Sequence, residues 1–348
     1  SATLCGPVFL NASVCEPTVR MAMETHHFLS GTVREKGKTP SVIDYKGVPV
    51  PGFLLPECVD AASKYKPTKD DLFIVTYVKC GTTWMQHIVY LIQNQGIPPT
   101  NAGQFYLSSP YIELMGTEFV SIMKRPGAIK THFPYQLVPF SPDAKYILVI
   151  RNPRDVIVSL HYHWLMFPGY EYNGTFDDSF ENFMSGEADY GDYFQYYRDW
   201  YNHKDKKNVL FVVFEDLKRN PETAVLEVAR FMGNGYEETL LANNKEILKR
   251  VLKYSHVDEM KKYTNDMIHS FFQCELETNA SRGLRRFHDS IRQAGPDAPR
   301  KVIYVRKGII GDWKNHFSRE QLRRLNEKFK RETAGTELAT LWPDMDFV

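Results

Sequence analysis

Residues 70 to 85 leave this chain few ways to fold: Asp70-Asp71-Leu72-Phe73-Ile74-Val75-Thr76-Tyr77-Val78-Lys79-Cys80-Gly81-Thr82-Thr83-Trp84-Met85. The apolar, β-branched run from Leu72 to Val75 suits a strand buried on both faces. Gly81 then permits a tight backbone path into a helix start. Such a start carries free N–H groups and the positive end of the helix dipole. With the Thr82 and Thr83 hydroxyls and the Lys79 ammonium, these groups converge on one point, which is how proteins hold a phosphate. A Gly-Thr-Thr turn alone serves equally well to cap a core helix; the lysine favours the anion. Lys79 precedes Gly81, whereas G-x-x-x-x-G-K-[ST] places its lysine after the second glycine, so the order argues against an ordinary ATPase.

The same strand-then-helix order recurs. Lys145-Tyr146-Ile147-Leu148-Val149-Ile150 is a continuous apolar run followed by helical spacing over residues 155–160, and Val209-Leu210-Phe211-Val212-Val213-Phe214 leads to a helix over 223–231. A further helix is expected over about 83–93. These units predict an α/β fold, a single domain whose central parallel sheet is flanked by helices. Ligands in such sheets gather beyond the carboxyl ends of the strands. Residues 265–301 carry Arg282, Arg285, Arg286, Arg292, Pro296 and Pro299 and read as one long loop, either a lid or disordered.

A formal net charge of +1 over 348 residues gives no reason to expect nucleic acid or a membrane surface as partner, so any polyanion site must be a pocket. The five cysteines are scattered, without a C-x-x-C pair or histidines at zinc spacing. They read as free thiols in a reducing compartment, and no metal is expected. No apolar run approaches the roughly 20 residues that cross a bilayer, and the expectation is a cytoplasmic protein. Residues 1–25, which include Met21 and Met23 as candidate starts, read as a disordered extension before a domain over 26–348.

The loop Thr76-Tyr77-Val78-Lys79-Cys80-Gly81-Thr82-Thr83-Trp84 resembles the 5′-phosphosulfate-binding loop of the cytosolic sulfotransferases, T-Y-P-K-[SC]-G-T-T-W, with Val78 in place of proline. Three more segments resemble that family in the same order. Ile129-Lys130-Thr131-His132-Phe133-Pro134 matches its K-T-H-x-P segment, and Arg151-Asn152-Pro153-Arg154-Asp155-Val156-Ile157-Val158-Ser159 matches R-N-x-x-D-x-x-x-S. Arg306-Lys307-Gly308-Ile309-Ile310-Gly311-Asp312-Trp313-Lys314 matches R-K-G-x-x-G-D-W-K.

The resemblance implies sulfuryl transfer from 3′-phosphoadenosine 5′-phosphosulfate (PAPS) to a small acceptor, leaving 3′-phosphoadenosine 5′-phosphate (PAP), with no metal. It gives His132 the general-base duty and Lys79 and Lys130 the developing charge. Lys79, Cys80, Gly81, Thr82 and Thr83 would hold the phosphosulfate. Arg151, Ser159, Arg306, Lys307 and Gly308 would hold the 3′-phosphate. Trp84 would stack on adenine beside Phe214, and Ser255 would meet the ring edge. The chemistry suits the residues: an attacking hydroxyl must lose a proton, and imidazole titrates near working pH. Tyr111, Phe133, Trp164, Phe167 and Tyr170 make the acceptor region aromatic, as a phenol would require, and Glu171 is a candidate partner for an amine.

The chain also departs from that pattern. Phe214 stands where the family often has tyrosine, and the K-x-x-x-T-V-x-x-x-E dimer element is degraded over residues 314–323, which points to a monomer or a different dimer. Two other readings stay open at this stage. One is a magnesium-dependent nucleotide or nucleoside kinase with Glu215 and Asp216 as carboxylates. The other is a relative that keeps the nucleotide pocket and only sequesters ligands.

Overall fold

Alternation along the apolar strands decides the architecture. The computed structural model describes residues 37–273, 276, 280–292 and 303–346. It opens with an antiparallel hairpin of β1 (Val42–Tyr45) and β2 (Val48–Pro51). A separate parallel sheet contains β3 (Leu72–Thr76), β4 (Ile129–Thr131), β5 (Lys145–Ile150) and β6 (Val209–Val213), in the order β4-β3-β5-β6. Phe73 and Val75 of β3, with Tyr146, Leu148 and Ile150 of β5, face one core. Their neighbours Leu72, Ile74, Ile147 and Val149 face the other. Side chains change face with every residue, so a strand must be apolar throughout to serve two cores.

One core is closed by aromatic residues of the Tyr193–Tyr201 and Pro153–Met166 helices, among them Trp164, Tyr197 and Trp200. The other is closed by the Thr82–Gln93 and Pro221–Met232 helices, with the Tyr236–Ser255 helix, whose backbone is non-helical at residues 242–245. All strands of the sheet run parallel, so the loops after β3, β4, β5 and β6 emerge on one side. They carry Lys79, His132, Arg151 and Phe214 there.

Four expectations are revised. The strand β3 extends to Thr76, and Ile129–Thr131, which the sequence left unassigned, is the edge strand β4. The strand β6 ends at Val213, where Phe214 begins a helix to Arg219. Most important, residues 265–301 are not one loop. The Val257–Gln273 and Arg282–Arg292 helices occupy much of that stretch, burying Ile268 and Phe271 from the first and Leu284, Phe287 and Ile291 from the second. Those apolar residues recur every three or four positions, but the charged outer face between them dominates the composition. The proposed extension at residues 1–25 lies outside the described residues.

Candidate active site

The loop after β3 is shaped by backbone that few residues adopt. Lys79 has φ +70° and Gly81 φ +103°. A Cβ at Gly81 would fall 2.8 Å from the Phe214 ring, so both the conformation and the close approach require glycine. Gly81 starts the Thr82–Gln93 helix, and no side chain caps that end. Its first N–H groups are therefore available to an anion. The Thr82 hydroxyl shares a 2.6 Å hydrogen bond with that of Thr76.

Arginine and aromatic side chains build the adjoining wall. Arg151 donates from Nη1 to the Lys79 carbonyl at 3.2 Å, and its guanidinium lies 4.4 Å from the Phe214 ring centre. Trp84 meets that ring edge to face at 5.1 Å and donates from Nε1 to the Ser255 carbonyl at 2.9 Å. Arg306 and Lys307 each donate to the Asp312 carboxylate at 2.6 Å. Burial works against ionisation of Asp312, yet the hydrogen bonds from Lys307 and Arg306 hold its carboxyl well below the usual range. Asp155 fixes this segment by accepting from the Gly311 and Trp313 N–H groups at 2.7 and 3.2 Å.

His132 follows β4 and is almost wholly buried. Its Nδ1 lies 2.8 Å from the Thr76 carbonyl oxygen and 3.2 Å from the Thr76 hydroxyl. A carbonyl only accepts, so the proton belongs on Nδ1 and Nε2 keeps its lone pair. Burial, then the Lys130 charge, holds the ring well below the ordinary imidazole range, so it is neutral. Behind it, Glu113 Oε1 accepts from the His132 N–H at 2.7 Å and from the Thr131 hydroxyl at 2.9 Å. Burial pushes that carboxyl up to about 7.

These residues surround one cavity. Lys79, Gly81, Thr82, Thr83, Trp84, Lys130, His132, Arg151, Ser159, Phe214, Arg306, Lys307 and Gly308 line it, as do Tyr111, Phe167 and Tyr170. Five expected residues do not. The Cys80 side chain is fully buried away from the cavity, and burial pushes its thiol up to about 12. Phe133 packs in the core beside His132. Trp164 donates to a buried Asp189 carboxylate at 3.2 Å. Glu171 lies off the cavity, its carbonyl accepting from Gly37. Ser255 is not among the lining residues; its carbonyl accepts from Trp84. The sequence reading missed Glu113, His163, Tyr190 and Tyr304, none of which stands in a motif position, and it quoted Asp155 within the arginine segment without giving it a role in the site.

The cavity concentrates positive charge. Burial, followed by Arg151, Lys130 and Arg306, drives Lys79 down to about 7, and burial lowers Lys130 to about 8. Arg151 Nε is buried without a hydrogen-bond partner. Cations so arranged repel one another, and a ligand with several anionic groups relieves that cost. The kinase carboxylates are engaged elsewhere: Glu215 accepts from the Asn152 N–H at 3.0 Å and from Trp342 Nε1 at 2.9 Å, while Asp216 pairs with Arg219 at 3.3 Å.

Comparison with known proteins gives the same picture. A sequence model of the sulfotransferase domain matches residues 69–337. The chain is 31% identical to human sulfotransferase 1C2 over 303 residues, 83% of this chain and 93% of that one. With mouse sulfotransferase 1 family member D1 it shares 28% over 307 residues, 85% of this chain and 94% of the other. Among solved structures, mouse sulfotransferase SULT7A1 complexed with PAP aligns with TM-score 0.64 at 23% identity, covering 86% of this chain and 96% of that one. Retinol dehydratase in complex with androsterone and PAP aligns with TM-score 0.67 at 18% identity, covering 86% and 90%. At those identities the structures establish the shared fold. The strand-loop-helix, the cation-lined cavity and the matched domain together place this chain in the sulfotransferase family, as a PAPS-dependent sulfotransferase.

Proposed function

We propose that the enzyme sulfates the hydroxyl or amine of a small aromatic acceptor, a phenol foremost, by in-line displacement with His132 as general base. PAPS supplies an activated sulfuryl group, whose sulfur accepts the acceptor's lone pair as its bond to the bridging phosphate oxygen breaks. His132 Nε2 takes the acceptor's proton, because Nδ1–H is engaged by the Thr76 carbonyl. Lys79 and Lys130 stabilise the charge that grows on the departing phosphate oxygen. The free N–H groups at Gly81, Thr82 and Thr83 would hold the phosphosulfate, and Arg151, Ser159, Arg306, Lys307 and Gly308 the 3′-phosphate. Trp84 would stack on the adenine, with Phe214 packed edge to face against the Trp84 ring.

Tyr111, Phe167 and Tyr170 support an aromatic acceptor. With Glu171 off the cavity, an amine loses its proposed carboxylate partner, which favours the hydroxyl. Residues 314–323 support a monomer or an alternative dimer: Ser318 and Gln321 form a capping box that starts the Arg319–Thr333 helix, so this stretch serves its own fold. No helix among the described residues is long and apolar enough to cross a membrane. The scattered, unpaired cysteines Cys58 and Cys80 support a cytoplasmic setting.

The observation that carries the reading is the 2.8 Å contact of His132 Nδ1 with the Thr76 carbonyl oxygen, which puts the proton on Nδ1 and leaves the lone pair on Nε2. PAP should raise the melting temperature of wild type and of His132→Ala alike, whereas ATP with Mg²⁺ should not; ligand at a hundred times Kd adds about 2.7 kcal/mol. Turnover with PAPS and a phenol panel should fall at least about a hundredfold in His132→Ala. Stabilisation by ATP–Mg²⁺ alone would revive the kinase, and PAP binding without turnover of any acceptor would favour a sequestering protein.

A further inference from the structure

The cavity contains a second histidine that the chemistry above leaves idle. His163 lies one helical turn beyond Ser159 on the Pro153–Met166 helix and lines the same cavity as His132. Its ring meets Phe167 at 4.8 Å and Tyr170 at 5.4 Å, both edge to face. Nδ1 is buried and has no hydrogen-bond partner. The residue is nonetheless partly exposed, so Nε2 is the nitrogen left open to the cavity.

That asymmetry selects a tautomer. An N–H on Nδ1 would be a buried donor without an acceptor, which costs more than a bare lone pair. The proton therefore belongs on Nε2. Burial, then the Lys79 and Lys130 ammonium groups, keeps the ring neutral by holding it well below the ordinary imidazole range. The two cavity histidines are thus complementary: His132 offers a lone pair and His163 an N–H.

We propose that His163 is a specificity-determining residue, donating a hydrogen bond from Nε2–H to an oxygen of the acceptor other than the one that is sulfated. This rests on the sulfotransferase reading above. Several nearby polar groups are engaged with one another: the Tyr111 and Tyr190 hydroxyls bond each other, Tyr170 donates to Asp189, and Gln86 donates to Ser109. Much of the remaining wall is apolar, with Phe105, Leu114, Ile268, Phe271, Leu284 and Phe287 lining it. The acceptor class that fits is an apolar, ring-containing alcohol with one further hydrogen-bond-accepting oxygen, such as a ketone. A ligand lacking that oxygen would leave the His163 donor unsatisfied on being buried.

The test reads binding, so it does not depend on turnover. PAP-loaded wild type, His163→Phe and His163→Gln are titrated calorimetrically with two matched pairs: 4-hydroxyacetophenone against 4-ethylphenol, and estrone against its 17-deoxo analogue. In at least one pair the wild type should favour the ketone about tenfold, the scale of one hydrogen bond. That preference should vanish in His163→Phe and persist in His163→Gln, whose amide keeps a donor near the Nε2 position. An equal preference in wild type and His163→Phe, or no binding of either pair to the PAP-loaded wild type, overturns the proposal. Histidine ¹⁵N shifts of the PAP-loaded wild type give a reading free of mutants: a proton on Nδ1 of His163 also overturns it. Failure of the wild type to bind PAP would instead sink the sulfotransferase reading itself.

Discussion

A single carboxylate, Glu113, fixes the segment that carries the candidate base. One of its oxygens receives both the His132 N–H and the Thr131 hydroxyl, while the other is buried without a partner. Burial raises its pKa from the usual carboxylate range to about 7. The sign follows from proton counting: between about 4.5 and 7 the folded chain holds a proton that the unfolded chain releases, so this group's contribution to stability falls as pH rises through that window. A shift of this size corresponds to about 3 kcal/mol. Glu113→Gln keeps the accepting oxygen and cannot ionise, so its stability relative to wild type should increase from pH 5 to pH 8 in denaturant melts. Glu113→Ala strands the His132 N–H and should cost both stability, by about 1–3 kcal/mol, and kcat. A pH-independent difference between wild type and Glu113→Gln would show that the carboxyl does not titrate in this window. The same scale shows where sequence reading stops. Cys80, Phe133 and Trp164 were assigned to the site, yet the cavity is lined by their neighbours Lys79, His132 and His163. A motif locates a segment, whereas the side on which each residue lands depends on local backbone, such as the positive φ of Lys79.

At the scale of elements, the 306–313 segment is tied to the Pro153–Met166 helix. Asp155 receives two of its N–H groups, and the Arg154 guanidinium lies 4.5 Å from the Trp313 ring centre. Asp155→Ala removes both acceptors at a site that positions Arg306 and Lys307. PAP affinity should drop at least about tenfold, since hydrogen bonds to a charged group are worth about 1.5–3 kcal/mol each. Hydrogen exchange should quicken at residues 311 and 313 while the β5 amides stay protected; uniform loss of protection would indicate a general destabilisation instead. The elements differ in how plainly the sequence announces them. β5 could be read because its residues 146–150 are apolar without a break and serve two cores. β4 escaped because it has three residues, two of them Lys130 and Thr131, and its identity comes from pairing with β3. The Val257–Gln273 and Arg282–Arg292 helices escaped because their apolar stripes are narrow and broken up by charges that face outward. What the sequence could not reveal is that these helices bring Phe271, Leu284 and Phe287 to the wall of the cavity.

For the molecule as a whole, a net charge of +1 conceals a strongly uneven field. The parallel sheet delivers Lys79, Lys130 and Arg151 to one edge, and the C-terminal segment adds Arg306. Burial and the three neighbouring cations hold Lys79 near 7 in the free protein. Bound phosphates reverse that electrostatic penalty and must raise its pKa. Near pH 8 the free protein then lacks a proton that the complex holds, so PAP binding takes up protons, and affinity weakens as pH rises from about 7 towards the bound pKa, by at most about tenfold per unit for one proton. Calorimetry at pH 8 in Tris and in HEPES, whose ionisation enthalpies differ, should give unequal apparent enthalpies corresponding to uptake of roughly half a proton or more. Lys79→Arg, charged at every accessible pH, should take up fewer protons while still binding PAP. Equal enthalpies in the two buffers would mean that Lys79 is already protonated in the free protein, and that the cavity contains more compensating negative charge than Glu113, Asp155 and Asp312 provide.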